Sequence, residues 1–135
     1  MHRPSESVQR LLRALRPQRH DGVYAFVEAP HGADLDALRP VALFREAEGT
    51  TLIVEEHVAH SAGLPVRLRA AWLTLAVASD LHDVGLTAAV AGALADAGIA
   101  CNVLAAVHHD HLFVPLERAD AALAALAALQ RGAGG

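Results

Sequence analysis

The sequence predicts an α+β fold of antiparallel sheets with helices on one face, and three observations carry that prediction. Residues 84–114 read as one unit: a glycine-led helix, a glycine stop, an apolar strand, a polar tip and a second apolar strand. Two hairpins overlay without a gap at an offset of 60, which sets Leu52-Ile53-Val54 on Leu112-Phe113-Val114 and Gly49 on His109. The strands ahead of them, Val23 to Val27 and Leu73 to Val77, match at an offset of 50. Strand, helix, strand, hairpin strand, helix is the start of a ferredoxin-like βαββαβ unit. The chain is therefore read as two such units in tandem, the first degenerate and with a shorter crossover.

Each element has its own physical signal. Ser5 is placed to cap a short helix with an apolar face of Val8, Leu11, Leu12 and Leu15, which Pro17 stops. Val23 to Glu28 is a strand, and Pro30 to Asp34 is a loop that leads to no more than a helical turn near Leu35 to Leu38. Val41 to Arg45 and Thr51 to Glu55 flank Glu48-Gly49 and form a hairpin. Glu56 to Ala62 is a short helix closed by Gly63, and Trp72 to Ala78 is a strand. Leu86, Val90, Ala93, Leu94 and Ala97 then recur on one face of a helix, which Gly98 ends because a residue without Cβ takes the left-handed conformation easily. Ile99 to Val107 follows as a buried strand, and Glu117 to Leu129 is an Ala/Leu helix. The boundaries this gives are a helical segment over 1–19, a degenerate half over 20–69, a better preserved half over 70–131 and a flexible tail over 132–135.

One misfit stands out. A complete βαββαβ unit needs a fourth strand after its last helix, and Arg131 to Gly135 cannot supply it. The open edge must be closed by the amino-terminal half or by another chain, or else be left as an aggregation risk.

Composition narrows the function. The chain of 135 residues is 53% hydrophobic but only 4% aromatic and carries a formal charge of −4, with no basic cluster. Nucleic acid and anionic membrane are therefore not expected as partners. All eleven cations are Arg, so a lysine Schiff base is excluded. Cys101 is the only cysteine, which rules out an intrachain disulfide and suits a reducing cytoplasm; its apolar neighbours make it a small buried hydrophobe. No apolar stretch is long enough to span a bilayer, and the first 19 residues lack the features of a signal peptide.

Val84 to Val90, Ala97 to Val103 and His109 to Pro115, with Phe44 to Leu52 and Leu12 to Pro17 in the first half, resemble the small bacterial tandem ACT-domain proteins. The resemblance covers roughly residues 11 to 127. It implies a regulatory module that binds amino acids or similar small metabolites and assembles as a dimer by pairing sheets or helices. It also implies ligand contacts at an interface, near the glycine-containing loop that enters the first helix and on the strand that follows. Carried onto this chain, these are Asp83, Val84, Gly85, Leu86 and Thr87, then Cys101, Asn102 and Val103. The family often has aromatics ahead of its His-Asp-His element, where Val107 and His108 stand here, so contacts made by such aromatics do not carry over.

Residue chemistry points to the same place. A helix amino terminus offers unpaired N–H groups and partial positive charge to a carboxylate, and Gly85 lets that carboxylate approach closely. The Thr87 hydroxyl and the Asn102 amide add hydrogen bonds, and Asp83 meets an ammonium. The bland readings are that Asp83 caps the helix, Gly85 is a packing glycine and Asn102 a buried amide bonded to backbone.

His109 and His111, two apart on a strand, form a minor alternative as metal ligands, but a third ligand is not apparent and a polar hairpin tip needs such residues anyway. The remaining histidines read as solvated. No enzyme is expected: Ser79, Asp80 and His82 are a triad by composition only, and no cofactor is implied. Two readings follow. One is an amino-acid sensor acting on a separate metabolic enzyme, and the other a ligand-free module that associates with such an enzyme.

Overall fold

The computed structural model describes residues 5–76 and 84–134. It falls into two compact units. One is Asp21–Ala71; the other joins the residues up to His20 with those from Trp72 onward.

In the unit Asp21–Ala71, β2 (Tyr24–Ala29) leads through a single 3-10 turn (Asp36–Leu38) to the hairpin of β3 (Ala42–Arg45) and β4 (Thr50–Glu55), then to α2 (Glu56–Ser61) and the first half of β5 (Leu68–Leu75). β4 pairs antiparallel with β2 along its whole length, Tyr24 opposite Glu55 and Ala29 opposite Thr50. β3 pairs with β4, and β5 flanks β2, with Tyr24 opposite Ala70 and Phe26 opposite Leu68. The order β5-β2-β4-β3 is that of a complete βαββαβ sheet. Period-two alternation turns Ala25, Val27, Leu52 and Val54 to one face, where they form the core with Ala59 of α2. Leu35 and Leu38 pack on the same cluster, so a short turn takes the place of a crossover helix.

The second unit contains α1 (Glu6–Arg13), β1 (Pro17–Arg19), the second half of β5, α3 (Leu86–Asp96), β6 (Asn102–Ala105), β7 (Asp110–Pro115) and α4 (Ala119–Gly134). Ser5 caps α1 as expected, its hydroxyl accepting from Val8 N–H at 3.3 Å. α3 buries Leu86, Val90 and Leu94, spaced as the helical period requires. Gly98 at φ 73° ends it, and Ile99 N–H returns to the Leu94 carbonyl at 2.9 Å. β6 and β7 pair from Asn102 opposite Phe113 to Ala105 opposite Asp110.

The missing fourth strand is β1. It pairs antiparallel with β5, Pro17 opposite Leu75 and Arg19 opposite Leu73, and the order β1-β5-β7-β6 again matches the βαββαβ sheet. The strand that would follow α4 instead stands near the start of the chain, after α1 and ahead of every other strand among the described residues. Gln130 of α4 ties the two ends together, its Nε2 donating to the carbonyls of Arg13 at 2.8 Å and Leu15 at 2.9 Å.

Four expectations are corrected. β5 begins at Leu68 instead of Trp72, because its first residues answer the free edge of β2; the expected residues Val77 and Ala78 lie outside those described. β1 replaces a plain stop at Pro17. The strand expected over Ile99 to Val107 is only Asn102–Ala105 and is largely exposed, since within its sheet it stands at the edge and pairs only with β7 among the described residues. Residues 132–134, expected as tail, continue α4, where Arg13 donates to the Ala133 carbonyl at 3.1 Å.

Candidate functional site

The helix entrance expected to hold a carboxylate is present. Gly85 is the N-cap of α3 at φ 103°, a left-handed conformation that favours glycine, and no side chain caps the helix. No acidic residue stands in its first turn, where Thr87 and Ala88 are exposed and the leading amides have no intrahelical partner. Gly85 is also packed closely: a Cβ there would sit 3.0 Å from Val8 Cγ2 of α1. The packing reading of Gly85 is the one this contact bears on. Val84 is 87% exposed, and Leu86 is part of the core. Asp83 lies outside the described residues, as do Ser79, Asp80 and His82.

On the strand side, Asn102 is exposed and Val103 half-buried. The buried-amide reading of Asn102 is thus corrected. Its position at a sheet edge leaves both amide groups open to a ligand or to another chain. Cys101 is half-buried and free, and burial raises its thiol pKa, which makes it a poor nucleophile at neutral pH.

His109 and His111 are not brought together as ligands. His109 is exposed at the turn, where its carbonyl accepts from Ala106 N–H at 3.0 Å. His111 turns toward the sheet, where its Nδ1 lies 3.1 Å from Trp72 Nε1 and 3.0 Å from Thr74 Oγ1. Among the described residues no three His, Cys, Asp or Glu side chains gather to hold a metal.

His20, expected to be solvated, is half-buried and stacks on Trp72 with ring centroids 3.5 Å apart and planes 7° from parallel. Its Nε2 lies 2.7 Å from Thr74 Oγ1. The alternation Trp72, Thr74 and His111, Phe113 was the available signal for this cluster. Only the pairing of His20 N–H with the Trp72 carbonyl at 3.0 Å brings His20 to it.

Sequence reasoning also missed a cavity of about 480 Å³ in the unit Asp21–Ala71. The loop from Pro30 to Ala33 forms one wall, Glu48-Gly49-Thr50 at the hairpin tip another, and Leu35, Leu64 and Pro65 supply apolar surface. Its volume is within the usual range for small-molecule sites. Glu28 rests against Gly49, whose absent Cβ would collide with the Glu28 carboxylate. The same carboxylate is loosely paired with Arg67 at 3.9 Å. The signal was there in Gly32 and Gly49, glycines at the loop and the hairpin tip, but nothing in the sequence shows that these two turns face a common space.

Two ferredoxin-like sheets, one crossed by a loop with a 3-10 turn and the other by a helix, define a tandem α+β fold of two like units. Two models of the ACT domain match residues 5–71 and 67–128, and the chain belongs to the ACT domain family, whose members are regulatory modules. Among solved structures, it is similar to a protein of unknown function from Vibrio cholerae described as a possible transport protein. Identity is 42% over 93% of this chain and 97% of that one, with a TM-score of 0.83. An Agrobacterium tumefaciens protein shares the fold at 14% identity and TM-score 0.64, over 86% of this chain and 89% of that one. So does the ligand-free regulatory subunit of aspartate kinase from Thermus thermophilus, at 12% identity and TM-score 0.61, over 84% and 95%. No curated protein matches the chain. Among the described residues no helix is long and apolar enough to cross a membrane.

Proposed function

We propose that this protein is a sensor that binds a free amino acid at the crossover entrances of its ACT units and regulates a separate metabolic enzyme in the cytoplasm. The observation that carries the reading is the cavity of about 480 Å³ at the first entrance. It combines apolar walls with the Glu28 carboxylate, a pairing suited to a small ligand that carries an ammonium group. At the second entrance, the uncapped start of α3 suits a carboxylate, with Gly85 and Thr87 at the contact. Val84, 87% exposed, flanks that entrance. Asn102, with Cys101 and Val103 beside it, lies on an open strand edge, and a second copy pairing there completes an interfacial site. The regulatory subunit of aspartate kinase, which shares the fold, supports the regulatory part of the reading.

Calorimetric titration with each of the twenty amino acids tests it. One or a few bind, and the bound state melts at a higher temperature, since a ligand that binds only the native state stabilises it by mass action. Silence across the panel at millimolar concentration sinks the sensor reading and leaves a ligand-free association module. Gly49→Ala abolishes binding if the first entrance holds the ligand, whereas Asn102→Ala does so if the second does. Sedimentation at micromolar concentration reads the dimer.

A further inference from the structure

One cluster is used by neither entrance: His20, Trp72, Thr74 and His111. Its hydrogens can be assigned from chemistry alone. An indole N–H only donates, so His111 Nδ1, 3.1 Å from Trp72 Nε1, is an acceptor and carries no proton. Thr74 Oγ1, 3.0 Å from the same nitrogen, must then donate to it, because two acceptors facing each other at that distance would repel. With its proton so placed, the Thr74 oxygen accepts from His20 Nε2–H at 2.7 Å. The chain of bonds has one direction, from His20 through Thr74 to His111, with Trp72 joining at the same acceptor. Thr74 is 5% exposed, and Phe113 stacks on Trp72 with centroids 5.9 Å apart, so the Thr74 hydroxyl at the centre of the chain is shielded from water.

We propose that His111 is an acid switch of this unit: protonation at Nδ1 turns the common acceptor into a third donor and releases Trp72, Thr74 and, through Thr74, the His20 end of β1. Two strands and the end of a third meet at this point: β5 through Trp72 and Thr74, β7 through His111, and His20 directly after β1. Loss of the acceptor therefore loosens the closure of the sheet by its amino-terminal strand.

The charged groups around His111 agree in direction. Burial lowers its pKa most, the positive charges of His109 and His20 lower it further, and Asp110, its buried neighbour on β7, acts in the opposite sense. β6 places Leu104 opposite His111 and brings no charge. A histidine whose pKa is depressed on folding contributes stability that is present above the ordinary histidine value and lost as pH falls through the lowered one. The device is therefore closed at neutral pH and opens in mild acid.

Trp72 is the only tryptophan, so its indole N–H gives one assignable NMR signal in the full chain. At pH 8 the His111 ring shows the Nε2–H tautomer. Between pH 8 and 5 the indole signal shifts with the midpoint of the His111 ring, below the ordinary histidine value, and its exchange with water speeds up. Trp72→Phe removes a donor that favours neutral His111 and raises that midpoint. His111→Asn keeps an acceptor near the Nδ1 position that does not titrate, and the indole signal stays in place over the same range. An Nδ1–H tautomer at pH 8, an indole signal indifferent to pH, or one that follows the His20 ring instead of His111 overturns the proposal. The tautomer and the shared midpoint are read on the natural sequence, so they decide the matter even if a variant fails to fold.

Discussion

The two units build the same sheet order from different materials. In the unit Asp21–Ala71 the crossover is a loop with one 3-10 turn (Asp36–Leu38), and beside it lies a cavity of about 480 Å³. In the second unit the crossover is an eleven-residue helix, α3, with Leu86, Val90 and Leu94 sealed against the core. A helix fills its side of the sheet and presents its amide terminus, whereas a loop leaves space that two turns can line. The difference teaches that one fold can offer a ligand either a volume or a dipole, depending on how many residues the crossover contains.

The sharpest way to break the comparison is to hollow out the helix. Leu94 is fully buried, and Leu94→Ala is expected to cost about 2–5 kcal/mol in chemical denaturation. Leu38→Ala, its half-buried counterpart in the shorter crossover, removes less buried surface and costs less. Equal losses would show that the turn packs its sheet as firmly as the helix does. Next in size is Gly85→Ala, which forces a left-handed backbone on an L-residue and presses on Val8. About 1–3 kcal/mol is expected, with amide exchange in α3 rising most. Ser5→Ala should cost about 1 kcal/mol by removing the cap of α1, read as a lower denaturation midpoint at unchanged slope.

Gly49→Ala is expected to change stability least among the glycine variants. The atoms in its way belong to the end of an exposed Glu28 side chain, which can swing aside. A large loss of stability there would mean that Glu28 is held in place, not merely resting. The smallest effect belongs to Arg69→Met. Glu56 accepts two hydrogen bonds from Arg69, one of them at 3.0 Å, and those bonds lower the Glu56 pKa. A carboxylate with a depressed folded pKa adds stability that is present above its unfolded value and lost as pH falls through the folded one. The acid limb of the stability curve should therefore shift slightly toward neutral pH in the variant, and a shift the other way would contradict the assignment.

Much of this architecture was legible in the chain. The capping Ser5, the hairpin around Gly49, the α3 periodicity and the Gly98 stop are local signals, and each reports on residues within one or two turns. Errors arose where the determining contact was distant. The segment from Leu68 to Ala71 is a strand because the edge of β2 is there to pair with it, and Pro17 to Arg19 is one because β5 is. Asn102 looked buried among apolar neighbours in sequence but stands at a sheet edge. Among the site residues, the helix entrance at Gly85 was readable, whereas the cavity between Pro30 and Gly49 and the approach of His20 to Trp72 were not.

Taken alone, the sequence determined the tandem repeat, the helices and the glycines that end or enter them, because helical period and turn chemistry act over a few residues. Tertiary structure decided that the fourth strand of the second sheet comes from the start of the chain. It also decided that two turns line one cavity and that Trp72 and Thr74 share one acceptor on His111, with His20 joined through Thr74. Each of these depends on strand pairing between distant segments, and a strand's own residues specify its alternation but not its neighbour.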